Sequence, residues 1–125
     1  MKKLKVLIAE DDESSFLYLS SALRGIYSEL LKASNGTDAV ELCKAHSDID
    51  LILMDIKIPL MDGYEVTRKI REFNQEVVII AQTAYAMMGD REKALEAGCN
   101  GYIAKPVDRE TLKSLIHSFF PDDSP

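Results

Sequence analysis

Two rhythms of apolar residues alternate along this chain, and each predicts a different element. Leu4 to Ala9, Leu51 to Met54 and Val77 to Ala81 are short, nearly continuous apolar runs bounded by polar residues. Such runs fit strands buried on both faces. Sparser stripes lie between them. Phe16, Leu19 and Leu23 mark a helix over Glu13 to Leu23, closed by Arg24-Gly25 with the glycine as its C-cap. Ala39, Val40 and Cys43 mark a helix over Thr37 to Ala45, after a turn at Asn35-Gly36. Val66 and Ile70 mark a third over Gly63 to Glu72, ended by a break at Asn74-Gln75. Leu112, Leu115, Ile116 and Phe119 stripe a final helix with Asp108 as its N-cap. Glu29 to Ala33 and Gly101 to Ala104 complete the strands. Ala84 to Ala97 has helical propensity, with Gly98 as its stop and Gly89 weakening its first turn. The regular strand-helix alternation predicts an α/β fold, a parallel sheet covered on both faces by helices.

Composition narrows this frame. A chain of 125 residues suits one domain, here residues 1–120, followed by a polar tail or linker start at 121–125. Hydrophobic residues make up 46%, enough for a real core, and the net charge of −6 argues against a nucleic-acid surface. No apolar run approaches the roughly 18 residues of a membrane span, and the N-terminus lacks the pattern of a signal peptide. Cys43 and Cys99 lack metal-type spacing and read as reduced, core-facing thiols, which suits a cytoplasmic protein. His46 and His117 read as surface or helix-end residues.

The chemistry gathers at the carboxyl ends of the strands. The first strand ends in Glu10, Asp11 and Asp12, the third in Asp55, the fourth in Thr83 and the fifth in Lys105. In a parallel sheet these ends share one edge, where ligands bind. Asp55 alone reads as readily as a turn or cap residue, Asp12 reads as a helix N-cap, and Asp62 as a turn residue. Together, however, the acids, the hydroxyl and the lysine are what a metal-assisted phosphoryl transfer requires. Clustered carboxylates repel, and a hard divalent cation such as Mg²⁺ or Mn²⁺ relieves this. An ionised carboxylate can attack phosphorus without a general base, and a lysine and a hydroxyl can each hold a phosphoryl oxygen.

The segments Val6-Leu7-Ile8-Ala9-Glu10-Asp11, Leu53-Met54-Asp55-Ile56-Lys57-Ile58-Pro59-Leu60-Met61-Asp62-Gly63, Thr83-Ala84 and Lys105-Pro106 resemble the receiver domain of two-component response regulators. The resemblance covers about Leu4 to Phe119. It implies a flavodoxin-like (βα)5 three-layer sandwich with strand order 2-1-3-4-5. It also implies that Asp55 is the phosphoacceptor, with Asp11 and Asp55 as direct metal ligands, Glu10 acting through a metal-bound water, and the Lys57 carbonyl as a further ligand. Lys105 would be the phosphoryl-binding lysine, before a cis peptide at Pro106. Thr83 and Tyr102 would be the switch pair, repositioning the surface of the fourth helix, fifth strand and fifth helix. The implied cofactor is Mg²⁺ or Mn²⁺. The implied partners are a sensor histidine kinase or histidine phosphotransfer domain, a protein output partner, and a second copy in a phosphorylation-dependent dimer. This domain is expected to contact no nucleic acid and to make no membrane insertion. Such a domain assists its own phosphorylation but is not a conventional enzyme.

Lys57 and Tyr85 sit where the family varies, and their side chains are expected to hinder hydrolysis of an acyl phosphate. Met87 and Met88 read as partner-surface or packing residues. Thr83-Ala84-Tyr85-Ala86 resembles the receivers of hybrid histidine kinases. Three other functions fit less well. A phosphatase of the haloacid-dehalogenase type wants a second aspartate where Lys57 stands. A carrier of flavin mononucleotide wants a phosphate-cradling loop where the first acids stand. A phosphorylation-independent scaffold would not need the complete set of site residues.

Overall fold

The computed structural model describes residues 3–84 and 89–121. Elements alternate throughout: β1 (Leu4–Ala9), α1 (Glu13–Ala22), β2 (Tyr27–Ala33), α2 (Gly36–Ala45), β3 (Leu51–Asp55), α3 (Gly63–Arg71), β4 (Val78–Thr83), α4 (Asp90–Ala97), β5 (Gly101–Ala104) and α5 (Arg109–Phe119). The five strands form one parallel sheet in the order β2-β1-β3-β4-β5. This is the flavodoxin-like order expected from the resemblance.

Strand alternation divides the core into two layers. Leu7, Ile52, Met54, Ile79 and Ala81 face α2, α3 and α4, where Ala39, Val40, Cys43, Val66, Ile70 and Ala94 are buried. Val6, Ile8, Leu51, Leu53 and Ile80 face α1 and α5, meeting Leu19, Leu23, Leu112 and Ile116. Full burial of a Leu or Ile stabilises by about 1.5–3 kcal/mol before the entropy of ordering is subtracted. The central strands β1, β3 and β4 are therefore the most costly to perturb. Cys43 and Cys99 are buried free thiols, as expected, and burial pushes Cys43 up to about 12.

Helix starts follow their caps. Asp12, Asn35, Asp62 and Asp108 each accept a backbone N–H three residues on, from Ser15, Asp38, Glu65 and Thr111. Asp12 and Asp108 are the N-caps predicted. Asn35-Gly36, read as a turn, is instead a cap and the first residue of α2. Gly25, read as a C-cap, lies beyond it: Leu23 caps α1, and Gly25 at φ 91° shapes the following turn. β2 begins at Tyr27, two residues before Glu29, and β4 extends past Ala81 to Thr83.

The largest departure is α4, which begins at Asp90 rather than Ala84. Gly89 has φ 96°, a left-handed conformation that cannot continue a right-handed helix, and Ala84 lies in a bend. The expectations for Tyr85, Met87 and Met88 fall outside the described residues, as do residues 122–125 of the expected tail. No described helix is long and apolar enough to cross a membrane.

Gly36 is held by contact rather than by φ. Its N–H donates to the Pro59 carbonyl at 3.0 Å. A Cβ here would clash with the Met61 carbonyl oxygen and sit 2.8 Å from Val66 Cγ2. Backbone cannot give way as a side chain can. Gly36→Ala is expected to destabilise the fold by about 1–3 kcal/mol in urea unfolding; an unchanged midpoint would show that the two loops part freely.

A candidate phosphoryl-acceptor site

Four strand ends build the site. β1 hands the chain to Glu10, whose N–H donates to the Ala33 carbonyl at 2.9 Å. β3 ends at Asp55, and the next residue is pinned by an Ile56 N–H bond to the Gln82 carbonyl at 3.0 Å. β4 ends at Thr83, whose carbonyl accepts the Lys105 N–H at 2.7 Å. Gly63 lets α3 start hard against the third strand: a Cβ there would be 2.8 Å from both the Asp55 carbonyl oxygen and Ile56 Cα. The Lys105-Pro106 peptide is cis, as expected.

The charged groups meet directly. Lys105 Nζ donates to Glu10 Oε1 at 3.1 Å and to Asp55 Oδ2 at 3.2 Å. Glu10 Oε2 accepts the Asp12 N–H at 3.1 Å, and Asp55 Oδ1 accepts the Lys57 N–H at 3.1 Å. Glu10 is 1% exposed and Asp55 5%, whereas Asp11 is exposed. Burial raises Glu10 above the usual glutamate range; its bond from the Asp12 N–H opposes this, and the Asp55 charge adds to it. Burial lowers Lys105, but the bond to Glu10 and the charges of Asp55 and Glu10 outweigh it and raise the ammonium's pKa. The Lys105 shift reports the negative charge of the two acids around it.

Glu10, Asp11 and Asp55 each offer a carboxylate oxygen, all within 4.8 Å of one another. The donors are oxygens only, which suits Mg²⁺ or Mn²⁺ over softer metals. Glu10, Asp11 and Asp55 together carry more negative charge than the Lys105 ammonium bonded to two of them, an excess that a divalent ion would offset. The residues present therefore fit such a cation.

The other predicted residues surround this cluster. Thr83 is 3% exposed at the end of β4, Tyr102 is half-buried in β5 against the α2–α4 layer, and Lys57 is exposed beside Asp55. Asp62 caps α3 and takes no part. His46 caps the end of α2, with Lys5 Nζ 3.0 Å from its Nδ1, and His117 is exposed on α5. Sequence reasoning missed three features. Lys105 engages Glu10 as well as Asp55. Leu60 is 78% exposed with φ 73° in the loop after Asp55; the flanking Pro59 and Asp62-Gly63 were a usable signal for that tight turn. Gln82, a polar residue in an apolar strand, is fully buried.

Comparison with known proteins agrees with this geometry. Residues 6–117 match the family model of the response regulator receiver domain. The polar-differentiation response regulator DivK of Brucella anthropi is 34% identical over 119 residues, 94% of this chain and 96% of that protein. Hybrid signal transduction histidine kinase G of Dictyostelium discoideum is 38% identical over 125 residues, 96% of this chain but 4% of that far longer protein. Among solved structures, the receiver domain of a sensor histidine kinase of Pseudomonas aeruginosa has a TM-score of 0.84 at 34% identity, covering 97% of this chain and 100% of that one. That structure holds a magnesium ion in its active-site cleft. A Saccharomyces cerevisiae response regulator receiver, crystallised with a histidine phosphotransfer protein, has a TM-score of 0.84 at 35% identity over 92% of this chain and 87% of that one. The chain belongs to the response regulator receiver domain family, the phosphoacceptor signalling domains of two-component systems.

Proposed function

We propose that Asp55 accepts a phosphoryl group from the phosphohistidine of a sensor histidine kinase or histidine phosphotransfer domain, and that the resulting acyl phosphate resets a surface read by an output partner. The observation that carries this is the meeting of Asp55, Glu10 and Lys105 within 3.2 Å at the strand ends, with Asp11 close by. A carboxylate oxygen of Asp55 attacks phosphorus while the bond to the histidine nitrogen breaks, and the electron pair stays on that nitrogen; with a proton on its other ring nitrogen, the donor histidine leaves as neutral imidazole. Lys105, already beside Asp55 Oδ2, binds an oxygen of the transferred group as charge moves onto it. Asp55 needs no base, since its nucleophile is the ionised carboxylate.

Mg²⁺ or Mn²⁺ would be held by Glu10, Asp11, Asp55 and the Lys57 carbonyl, and when bound it neutralises charge on the phosphoryl oxygens. Thr83 donates its hydroxyl to a phosphoryl oxygen, and Tyr102 moves toward the space Thr83 leaves. The face of α4, β5 and α5 then changes its partner preference, including self-association. A cytoplasmic setting fits the two free thiols. The experiment is labelling by a small phosphodonor with and without Mg²⁺, followed by hydroxylamine, which cleaves acyl phosphates. Labelling that ignores both treatments would remove this reading.

Lys57 sets the lifetime of the product. Its backbone N–H holds Asp55 Oδ1 and its side chain is exposed next to the phosphoacceptor, which supports a role in hindering the hydrolytic water. Lys57→Asn is expected to speed dephosphorylation severalfold, followed by loss of label after donor removal. An unchanged or slower rate would assign the lifetime elsewhere.

A further inference from the structure

Gln82 is a buried polar group that the phosphoryl chemistry leaves unused. Alternation along β4 places it with Ile80 on the α1–α5 face, where its neighbours include Leu19, Ile80 and Val107. It is 2% exposed, and its Nε2 has no hydrogen-bond partner among the described residues. Leaving such a donor unpaired costs about 1–3 kcal/mol, which a leucine at this position would not incur.

Gln82 also lines a cavity of about 390 Å³ between α1 and the segment that joins β5 to α5. Tyr18, Leu19, Pro106 and Val107 supply apolar wall, and Lys105 borders it. The Tyr18 hydroxyl donates to the Val107 carbonyl at 2.8 Å, which ties α1 to the opposite wall and holds the cavity's width. The volume is within the range of small-molecule sites, and apolar walls with a few polar groups, here Gln82, Ser14 and Ser15, are typical of them.

We propose that this cavity binds a small, flat, uncharged molecule with a carbonyl acceptor, its oxygen taking the Gln82 N–H and its ring lying against Leu19, Pro106 and Val107. The last torsion of a glutamine is soft, so the amide turns toward the cavity at little cost. Charge argues for a neutral ligand. The ammonium of Lys105 is already committed to Glu10 and Asp55, and those acids repel an anion. A cation would meet the Gln82 donor and the ammonium of Lys105. A displaced water with few polar partners is lost cheaply when apolar surface replaces it.

The test uses the unphosphorylated full chain and two probes, 1-indanone and indane, which share a skeleton and differ by the carbonyl. In amide-resolved NMR titrations, the expected result is saturable shifts at Leu19, Gln82 and Val107, including the Gln82 side-chain amide. Indanone is expected to bind about fivefold tighter than indane, the worth of one hydrogen bond. In Gln82→Leu, which suits the apolar strand, the two affinities converge; Gln82→Met serves the same purpose should the leucine variant fail to fold. The proposal is overturned by the absence of saturable shifts at these residues, by equal binding of the two probes to the unaltered chain, or by a preference that persists without the amide.

Discussion

Asp55→Asn is expected to abolish phosphodonor labelling while the domain stays folded. The two side chains have the same shape, so the asparagine carbonyl can still accept the Lys57 N–H that Asp55 Oδ1 now takes. The substitution removes the nucleophile's charge and one of the three clustered carboxylates. An amide oxygen is a poor nucleophile, so the expected label falls below detection in the presence of Mg²⁺ and excess donor. Stability should move by no more than about 1 kcal/mol, because no buried volume changes and the lost attraction to Lys105 is offset by the lost repulsion against Glu10. Intact-mass measurement of both proteins reads the first outcome and urea unfolding the second. A hydroxylamine-sensitive label on the folded variant would falsify the assignment of Asp55.

Lys105→Met separates the two roles of the lysine. Without metal, the ammonium is the cation bonded to both buried carboxylates, Glu10 at 3.1 Å and Asp55 at 3.2 Å. Methionine has similar length but no charge. It leaves two buried acids facing each other, a situation known to be costly when one partner of a buried pair is removed. The expected loss in chelator is about 1–3 kcal/mol, because Lys105 is partly exposed and Glu10 can relieve the strain by taking a proton. Adding Mg²⁺ should restore more stability to the variant than to the parent, since the ion then meets an uncompensated cluster. Labelling should nevertheless fall by about tenfold or more, as the phosphoryl oxygens lose a donor that a metal at the carboxylates does not replace. Equal stability in chelator, or undiminished labelling, would mean that the two short bonds contribute little.

The sequence made the frame legible where its patterns had a physical cause that acts locally. Leu4–Ala9 and Gly101–Ala104 were predicted with the bounds observed, because apolar runs between polar residues leave few alternatives. Asp12 and Asp108 were readable as caps because capping depends on the next three residues. α4 was misjudged because Ala-rich propensity was set against one glycine, and a left-handed Gly89 outweighs several good helix formers. The convergence of strand-end residues followed from topology, so Glu10, Asp55 and Lys105 could be grouped. Their pairing could not: whether Lys105 reaches Glu10 depends on the turn after β5 and on side-chain length. Gln82 was invisible for a related reason. A polar residue at the end of an apolar strand reads as the strand's boundary, and only tertiary packing seals it inside.

The bond between Lys105 and the two acids also sets an order of events during synthesis. Glu10 and Asp55 emerge from the ribosome well before Lys105, which arrives later with the edge strand β5. Until then a partly made domain that closed over β1, β3 and β4 would trap two carboxylates without their internal counterion. Nascent chains should therefore keep this corner open and hydrated, or hold it with a cellular divalent ion. The central strands can pair early, yet the pocket at their tips is among the last parts to close.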